Sequence, residues 1–373
     1  MRTEAVVDLA AIAANVATLK ATTAAEVMAV VKADGYGHGL LPSARAALAG
    51  GASWLGVAML EEALALRAAG ITEPVLAWLW TPRETEALRD ALAAGVDISV
   101  SSQQGLDLVV ATAAELGTPA RVHLKIDTGL SRNGITAAEW PDLLDATAKA
   151  VASGVIETTG IWSHLACADS PGHPSIARQV ERFGDALDTA RSHGVMPELR
   201  HLANSAATVT LPQCHFDLVR PGVAIYGLSP VPERGGFGLV PAMTLRTTIA
   251  NVKRVDKGEG VSYGHQYVTD RETTLALVPV GYADGVPRAA TNVAPVSIGG
   301  HRYTVSGRVC MDQFVVDLGD AEARAGDEVV LFGPGGNGEP TAQDWADALD
   351  TIHYEIVSRV GSRVPRSYTG GAA

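Results

Sequence analysis

Ala29-Val30-Val31-Lys32-Ala33-Asp34-Gly35-Tyr36-Gly37-His38-Gly39 is the stretch on which the reading of this chain turns. An apolar, β-branched run over residues 27–31 reads as a buried strand. It stops at a lysine and passes into a loop where glycines alternate with Tyr36 and His38. Glycines in that arrangement let backbone come close to something else. Lys32 therefore ends a strand and faces whatever the loop surrounds. A buried ammonium is costly, so the amine is expected to be paired or neutral. A neutral lysine amine forms Schiff bases with aldehydes, pyridoxal phosphate among them.

Outward from that strand the same alternation repeats. Further strand candidates fall at 54–58, 75–80, 96–100, 122–126, 160–164, 199–202 and 217–219. Alanine-rich amphipathic helices are predicted at 41–49, 61–69, 82–94, 103–116, 137–153 and 174–193. The last gap holds a single helical turn, 206–209. Eight strands alternating with helices over about 230 residues predict a (β/α)8 barrel; a doubly wound open sheet is the competing architecture. The segment 234–238, Arg-Gly-Gly-Phe-Gly, reads as a linker. Beyond it lie short strand candidates at 242–255, 272–280, 293–298, 302–306, 313–316 and 328–332, with one helix at 342–349. The expected domains are residues 1–235, the barrel, and 236–373, a mostly β domain.

Bulk properties narrow the function. A chain of 373 residues with 47% hydrophobic content supports two domains with large cores. A net charge of −12 argues against nucleic-acid or anionic-membrane partners. No apolar run is long enough to span a bilayer. The N-terminal residues lack a signal-peptide pattern, so a cytoplasmic location is expected. Cys167, Cys214 and Cys310 are scattered and form neither a disulfide framework nor a zinc pattern. No dinucleotide or Walker-type glycine loop is present, and no metal site is expected.

In a parallel barrel, chemistry gathers at the carboxyl ends of the strands. The residues falling there are Lys32, Lys125 with Asp127, His164, Asn204 with Ser205, and Arg220 with Gly222 and Val223. Loops after the seventh and eighth strands commonly cradle phosphate in such barrels. Here they offer the Ser205 hydroxyl and the amides of Gly222 and Val223. An aldehyde-binding lysine across the rim from a phosphate cradle has the shape of a pyridoxal phosphate site. Taken residue by residue, bland alternatives stand beside this: Lys125 paired with Asp127, Arg220 paired with Asp217, and 261–264 an ordinary strand end.

Seven or more motifs in order resemble the bacterial alanine racemase family across nearly the whole chain. They are the opening stretch, His123-Leu-Lys-Ile-Asp-Thr-Gly129 with Arg132, Ser163-His164, Ala203-Asn-Ser205, Val219-Arg-Pro-Gly222, Val261-Ser-Tyr-Gly264, Gly281-Tyr-Ala-Asp-Gly285 and Cys310-Met-Asp312. The resemblance implies a (β/α)8 barrel followed by a β domain, and interconversion of L- and D-alanine to supply peptidoglycan. It implies that Lys32 carries pyridoxal 5'-phosphate as an aldimine and acts as one proton carrier. Tyr263 is the second, aided by His164 and Arg220. An unperturbed tyrosine titrates near 10 and needs such help. Arg220 faces the pyridine nitrogen and, being a permanent cation, disfavours its protonation. Tyr36, Ser205, Gly222, Val223 and Tyr354 hold the phosphate. Arg132, Met311 and Tyr282 face the substrate, and Lys125 is the position carbamylated in many members. Tyr282, Arg288, Arg308, Asp169 and Ile352 line the access passage. The resemblance also implies a homodimer, with Tyr263, Tyr282 and Met311 of one subunit opposite Lys32 of the other. The alternatives are a racemase of broader scope acting on serine, a fold-related decarboxylase of basic amino acids, and a non-catalytic pyridoxal phosphate carrier.

Overall fold

The computed structural model describes residues 2–371. Its contacts divide the chain into two units, each described by itself. The first comprises 13–35 and 40–239; the second comprises residues up to Ile12, Tyr36–Gly39 and everything from Val240 onward. The opening strand β1 (Thr3–Asp8) belongs to the second unit, where it pairs antiparallel with a strand over Met243–Thr248.

In the first unit eight parallel strands follow one another: β2 (Glu26–Val30), β3 (Trp54–Val57), β4 (Val75–Ala77), β5 (Asp97–Val100), β6 (Ala120–Lys125), β7 (Ile156–Trp162), β8 (Leu199–His201) and β9 (Leu218–Val219). From β2 to β8 each pairs with the next in sequence, and β9 pairs back onto β2. Between β8 and β9 the ring is joined by Asp217 N–H to the Arg200 carbonyl, 3.0 Å, and Arg220 N–H to the Ala203 carbonyl, 2.9 Å. The open-sheet alternative is thereby excluded. The strands are buried almost throughout because helices cover their outer faces. Met28, Trp54, Leu76 and Leu218 pack together inside the ring, each stabilising it by about 1.5–3 kcal/mol. The helix Gln103–Leu116 shows how the sequence sets the boundaries. Ser102 Oγ accepts from Gly105 N–H at its start, and Gly117 ends it at φ 66°.

The second unit is mostly β. A six-stranded sheet contains β1, and a three-stranded sheet combines Asn251–Val255, Thr273–Val278 and Phe314–Gly319. Two readings of this region need correction. Residues 242–255 are two strands in different sheets, Met243–Thr248 and Asn251–Val255, since the turn at 249–250 redirects the chain. A second helix, His353–Ser358, follows Ala342–Leu349 after Asp350 takes the left-handed conformation at φ 53°. Its six residues are too few for a periodic signal.

Candidate active site

Lys32 lies just past β2, half-buried. The backbone after it turns the unusual way: Ala33, Asp34, Gly35 and Tyr36 have φ of 54°, 52°, 61° and 51°. For the three non-glycine residues this costs about 1–2 kcal/mol each. In the barrel unit, local bonds hold the turn. Glu62 Oε1 accepts Ala33 N–H at 2.6 Å, Asp34 Oδ1 accepts Leu40 N–H at 2.8 Å, and the Val31 carbonyl accepts Gly35 N–H at 2.8 Å. A Cβ on Gly35 would come within 2.7 Å of Ser43 Oγ, so glycine is required there for space as well as for φ. Strain of this kind persists where the surrounding structure over-determines it, as at functional sites. Burial, and then the charge of Arg132, lower the Lys32 amine below its usual value, against a smaller opposing pull from Glu62.

Lys125, at the end of β6, is buried, with Nζ 4.2 Å from the centroid of the Trp162 ring. Burial, Arg220 and Arg132 push its amine down to about 8. The bland alternative, a pairing to Asp127, is not made. Asp127 Oδ1 accepts the N–H groups of Gly129, Leu130 and Ser131, at 2.8–3.2 Å, and shapes the loop that leads to Arg132.

Arg220 is enclosed by the barrel. Nη2 donates to the Ser163 carbonyl at 2.8 Å and to His164 Nδ1 at 3.3 Å; Nη1 donates to His201 Nδ1 at 3.2 Å. Its guanidinium carbon lies 4.7 Å from the Trp162 ring centroid. Burial lowers it to about 9, which leaves it a cation at neutral pH. The alternative partner, Asp217, is engaged by Arg200 Nε at 2.7 Å. His164 is held well below the ordinary imidazole range, first by burial, then by Arg220, Arg132, Lys125 and Lys32. It is therefore neutral. Accepting at Nδ1 places its proton on Nε2.

Next to Arg220, Ser205 Oγ accepts from Gly222 N–H at 2.8 Å and Ala224 N–H at 3.4 Å. The amides of the loop after β9 thus converge on this hydroxyl. Among the described residues, Lys32, Lys125, Arg132 and Arg220 form no ion pair with a carboxylate. Four basic groups of one rim, mutually unfavourable and without a direct carboxylate ion pair among the described residues, are arranged for an anionic ligand.

In the second unit, Tyr263 is 73% exposed. It sits between Ser262 (φ 61°) and Gly264 (φ 72°), in a turn pinned where Ser262 Oγ donates to the Arg308 carbonyl at 2.7 Å. Tyr282 and Met311 are exposed and adjacent: Tyr282 N–H donates to the Cys310 carbonyl and Ala283 N–H to the Met311 carbonyl, both at 3.0 Å. A Cβ at Gly281 would meet the Cys310 carbonyl at 2.3 Å, which explains the glycine. Tyr36 and Tyr354 approach each other, ring centroids 6.4 Å apart. Sequence reasoning overlooked Trp162, the aromatic floor under both Lys125 and Arg220, and Glu62, which fixes the loop after Lys32.

An eight-stranded barrel with an amine of lowered basicity and an unpaired cationic rim defines a class: a (β/α)8 enzyme of small anionic molecules. The family follows from comparison. Residues 7–230 match the model of the alanine racemase N-terminal domain, and residues 242–368 that of its C-terminal domain. The chain belongs to the alanine racemase family, pyridoxal-phosphate-dependent isomerases. It is 61% identical over 372 residues to the alanine racemase of Frankia casuarinae, covering 99% of this chain and 96% of that protein. It is 58% identical to that of Thermobifida fusca over 98% of both. A crystal structure of alanine racemase from D-cycloserine-producing Streptomyces lavendulae superposes with a TM-score of 0.98 at 55% identity, covering 100% of this chain and 98% of that one.

Proposed function

We propose that this chain interconverts L- and D-alanine with pyridoxal 5'-phosphate, as a homodimer in the cytoplasm, and supplies D-alanine for peptidoglycan. The observation that carries this reading is the set of basic groups on the barrel rim, which form no direct ion pair with a carboxylate among the described residues. The cofactor's phosphate and phenolic oxygen, with the substrate carboxylate, supply the missing negative charge. Ser205 and the amides of Gly222 and Val223 are assigned to the phosphate, which would take over the Gly222 N–H now donated to Ser205 Oγ; Tyr36 and Tyr354 are assigned to it by the same reading. Arg132 suits the phenolic oxygen and the substrate carboxylate through its fork of donors. When bound at Lys32, the cofactor supplies an electron sink that acidifies the substrate α-carbon.

Each residue has a physical task. Burial and neighbouring charge make the Lys32 amine easier to deprotonate, so it serves first as nucleophile and then as proton carrier on one face. Arg220, a buried cation, opposes protonation of the pyridine nitrogen, which favours return of the proton to the α-carbon over transamination. A decarboxylase site would favour a carboxylate there. Tyr263 of the partner subunit carries the proton on the opposite face. The Nε2–H of neutral His164, backed by Arg220, is suited to stabilise that phenolate. The exposed trio Tyr263, Tyr282 and Met311 is consistent with a surface completed by a second copy. Lys125 is proposed to be carbamylated: its amine, pushed to about 8, adds to carbon dioxide and releases a proton. The resulting anion holds Arg132. Protein equilibrated with carbon-13 dioxide should show one carbamate resonance, lost in Lys125→Ala.

The deciding experiment is chiral chromatography of purified protein with L-alanine, then L-serine and L-lysine. Equal D- and L-alanine at equilibrium supports the reading. Carbon dioxide release, or no product from alanine, overturns it. Faster turnover of serine would make it a racemase of broader scope.

A further inference from the structure

A line of buried polar groups crosses the barrel interior behind Arg220. Asp97 opens β5, His123 is in the middle of β6, His201 ends β8 and Arg220 follows β9. Asp97 is 1% exposed and both histidines 0%. His123 Nε2 lies 3.1 Å from Asp97 Oδ2, and His123 Nδ1 lies 2.9 Å from His201 Nε2. Arg220 Nη1 lies 3.2 Å from His201 Nδ1, and Arg121 Nε donates to Asp97 Oδ1 at 3.0 Å.

The fold makes room for this line. A Cβ at Gly160 would sit 2.3 Å from His123 Nδ1, so only glycine fits opposite that ring. The β6–β7 register shifts at His123. Trp162 stacks on His201 at 5.6 Å with a 3° interplanar angle, and Trp54 packs edge-on against His123 at 5.5 Å.

Donor counting fixes the protons. A guanidinium only donates, so His201 Nδ1 accepts and its proton is on Nε2. That proton is donated to His123 Nδ1, and the proton on His123 Nε2 to Asp97. Burial, Arg220 and His123 keep His201 far below the ordinary imidazole range, hence neutral. Burial opposes ionisation of Asp97, but the hydrogen bonds from His123 and Arg121 and the charge of Arg121 outweigh burial and lower its carboxyl. Every polar atom in the line is then satisfied, as a buried network requires.

The geometry points to Asp97 as the far anchor of the Arg220 guanidinium, acting through His123 and His201 to set its orientation and donor pattern. Asp97, His123 and His201 are positioning residues. Their kinetic consequence rests on the racemase reading; their proton arrangement does not.

Asp97→Asn is the sharpest probe. The amide oxygen keeps the charged Arg121 donor, so the amide NH2 turns to His123. Both rings must then invert, and His201 presents Nδ1–H to the Nη1–H of Arg220, donor against donor. Nitrogen-15 NMR of the ring nitrogens, in protein with and without pyridoxal phosphate, reads this directly. His123→Gln and His201→Gln assign the two rings among the ten histidines. In wild type both rings should carry the proton on Nε2, and His201 should stay neutral across the neutral range; a proton on His201 Nδ1 overturns the proposal, even if the variant fails to fold. In Asp97→Asn the rings should move to Nδ1–H. Racemisation kcat should fall about tenfold or more with KM nearly unchanged, and conversion of the cofactor to its pyridoxamine form should rise relative to racemisation. A folded variant with wild-type tautomers and partition overturns the proposal. Wild type with the stated tautomers but no racemisation of alanine leaves the relay standing and removes the functional reading instead.

Discussion

The two ends of the barrel treat charge in opposite ways. At the amino ends of the strands, cations are matched. Arg200 meets Asp217 at 2.7 Å, Arg121 meets Asp97 at 3.0 Å, and Lys20 lies 3.7 Å from Glu26. At the carboxyl ends Lys32, Lys125, Arg132 and Arg220 have no such partner among the described residues. One end has completed its electrostatics within the chain; the other leaves charge to be balanced by a ligand. That division follows from the parallel arrangement, which points every strand's exit, and the loop after it, to the same rim.

The largest effect should come from removing the amine on which the unbalanced rim depends. Lys32→Ala is expected to abolish the visible absorption of bound cofactor and to lower racemisation by at least about four orders of magnitude. A variant that keeps a chromophore reducible by borohydride would show that another amine holds the cofactor. Next is Tyr263→Phe, which leaves the barrel untouched. Racemisation should fall by about two to four orders of magnitude. With deuterated solvent, exchange at the α-carbon should slow far more when one enantiomer is the substrate than when the other is. Equal slowing from both would break the assignment of two proton carriers.

The barrel itself was legible because alternating apolar runs and helices report directly on burial. The rim residues were legible because Lys32, Lys125, His164 and Arg220 are polar where a strand ends. The interior relay was not. His123 and His201 sit inside strands, where a histidine carries no sign of its partner, and Asp97 is far from both in sequence. The nearest clue is Gly160, a glycine within a β-branched strand, whose meaning appears only when the His123 ring is seen against it. The reading of 242–255 as one strand failed because hydrophobic alternation continues through the turn. The helix bearing Tyr354 was missed because six residues show no periodicity.

A smaller effect separates the ends by pH. Lys125 has a folded pKa of about 8, below its unfolded value near 10.5. Between those values the unfolded chain binds more protons than the folded one, so apo-protein stability rises with pH through that window. For this one group the gain is on the order of 3 kcal/mol at most. Lys125→Met should remove the rise, and carbamylation should remove it as well. Thermal unfolding of the apo protein across alkaline pH, with and without carbon dioxide, checks this; an identical slope in the variant would show that the Lys125 amine is not lowered in the folded state.

The smallest effect belongs to the matched end. Arg200 and Asp217 form a bidentate pair, but their side chains are 46% and 31% exposed. Water screens such a pair, and its loss costs about 1 kcal/mol or less. Arg200→Ala should therefore shift thermal unfolding slightly and leave racemisation within about twofold, since conservation of charge at this end serves the ring and not the ligand. The same substitution does expose one dependence: Arg200 and Asp217 flank the closure between β8 and β9, and His201 follows Arg200 directly. If racemisation falls markedly while stability hardly changes, ring closure at that seam also sets the position of His201, and the two ends are coupled through β8.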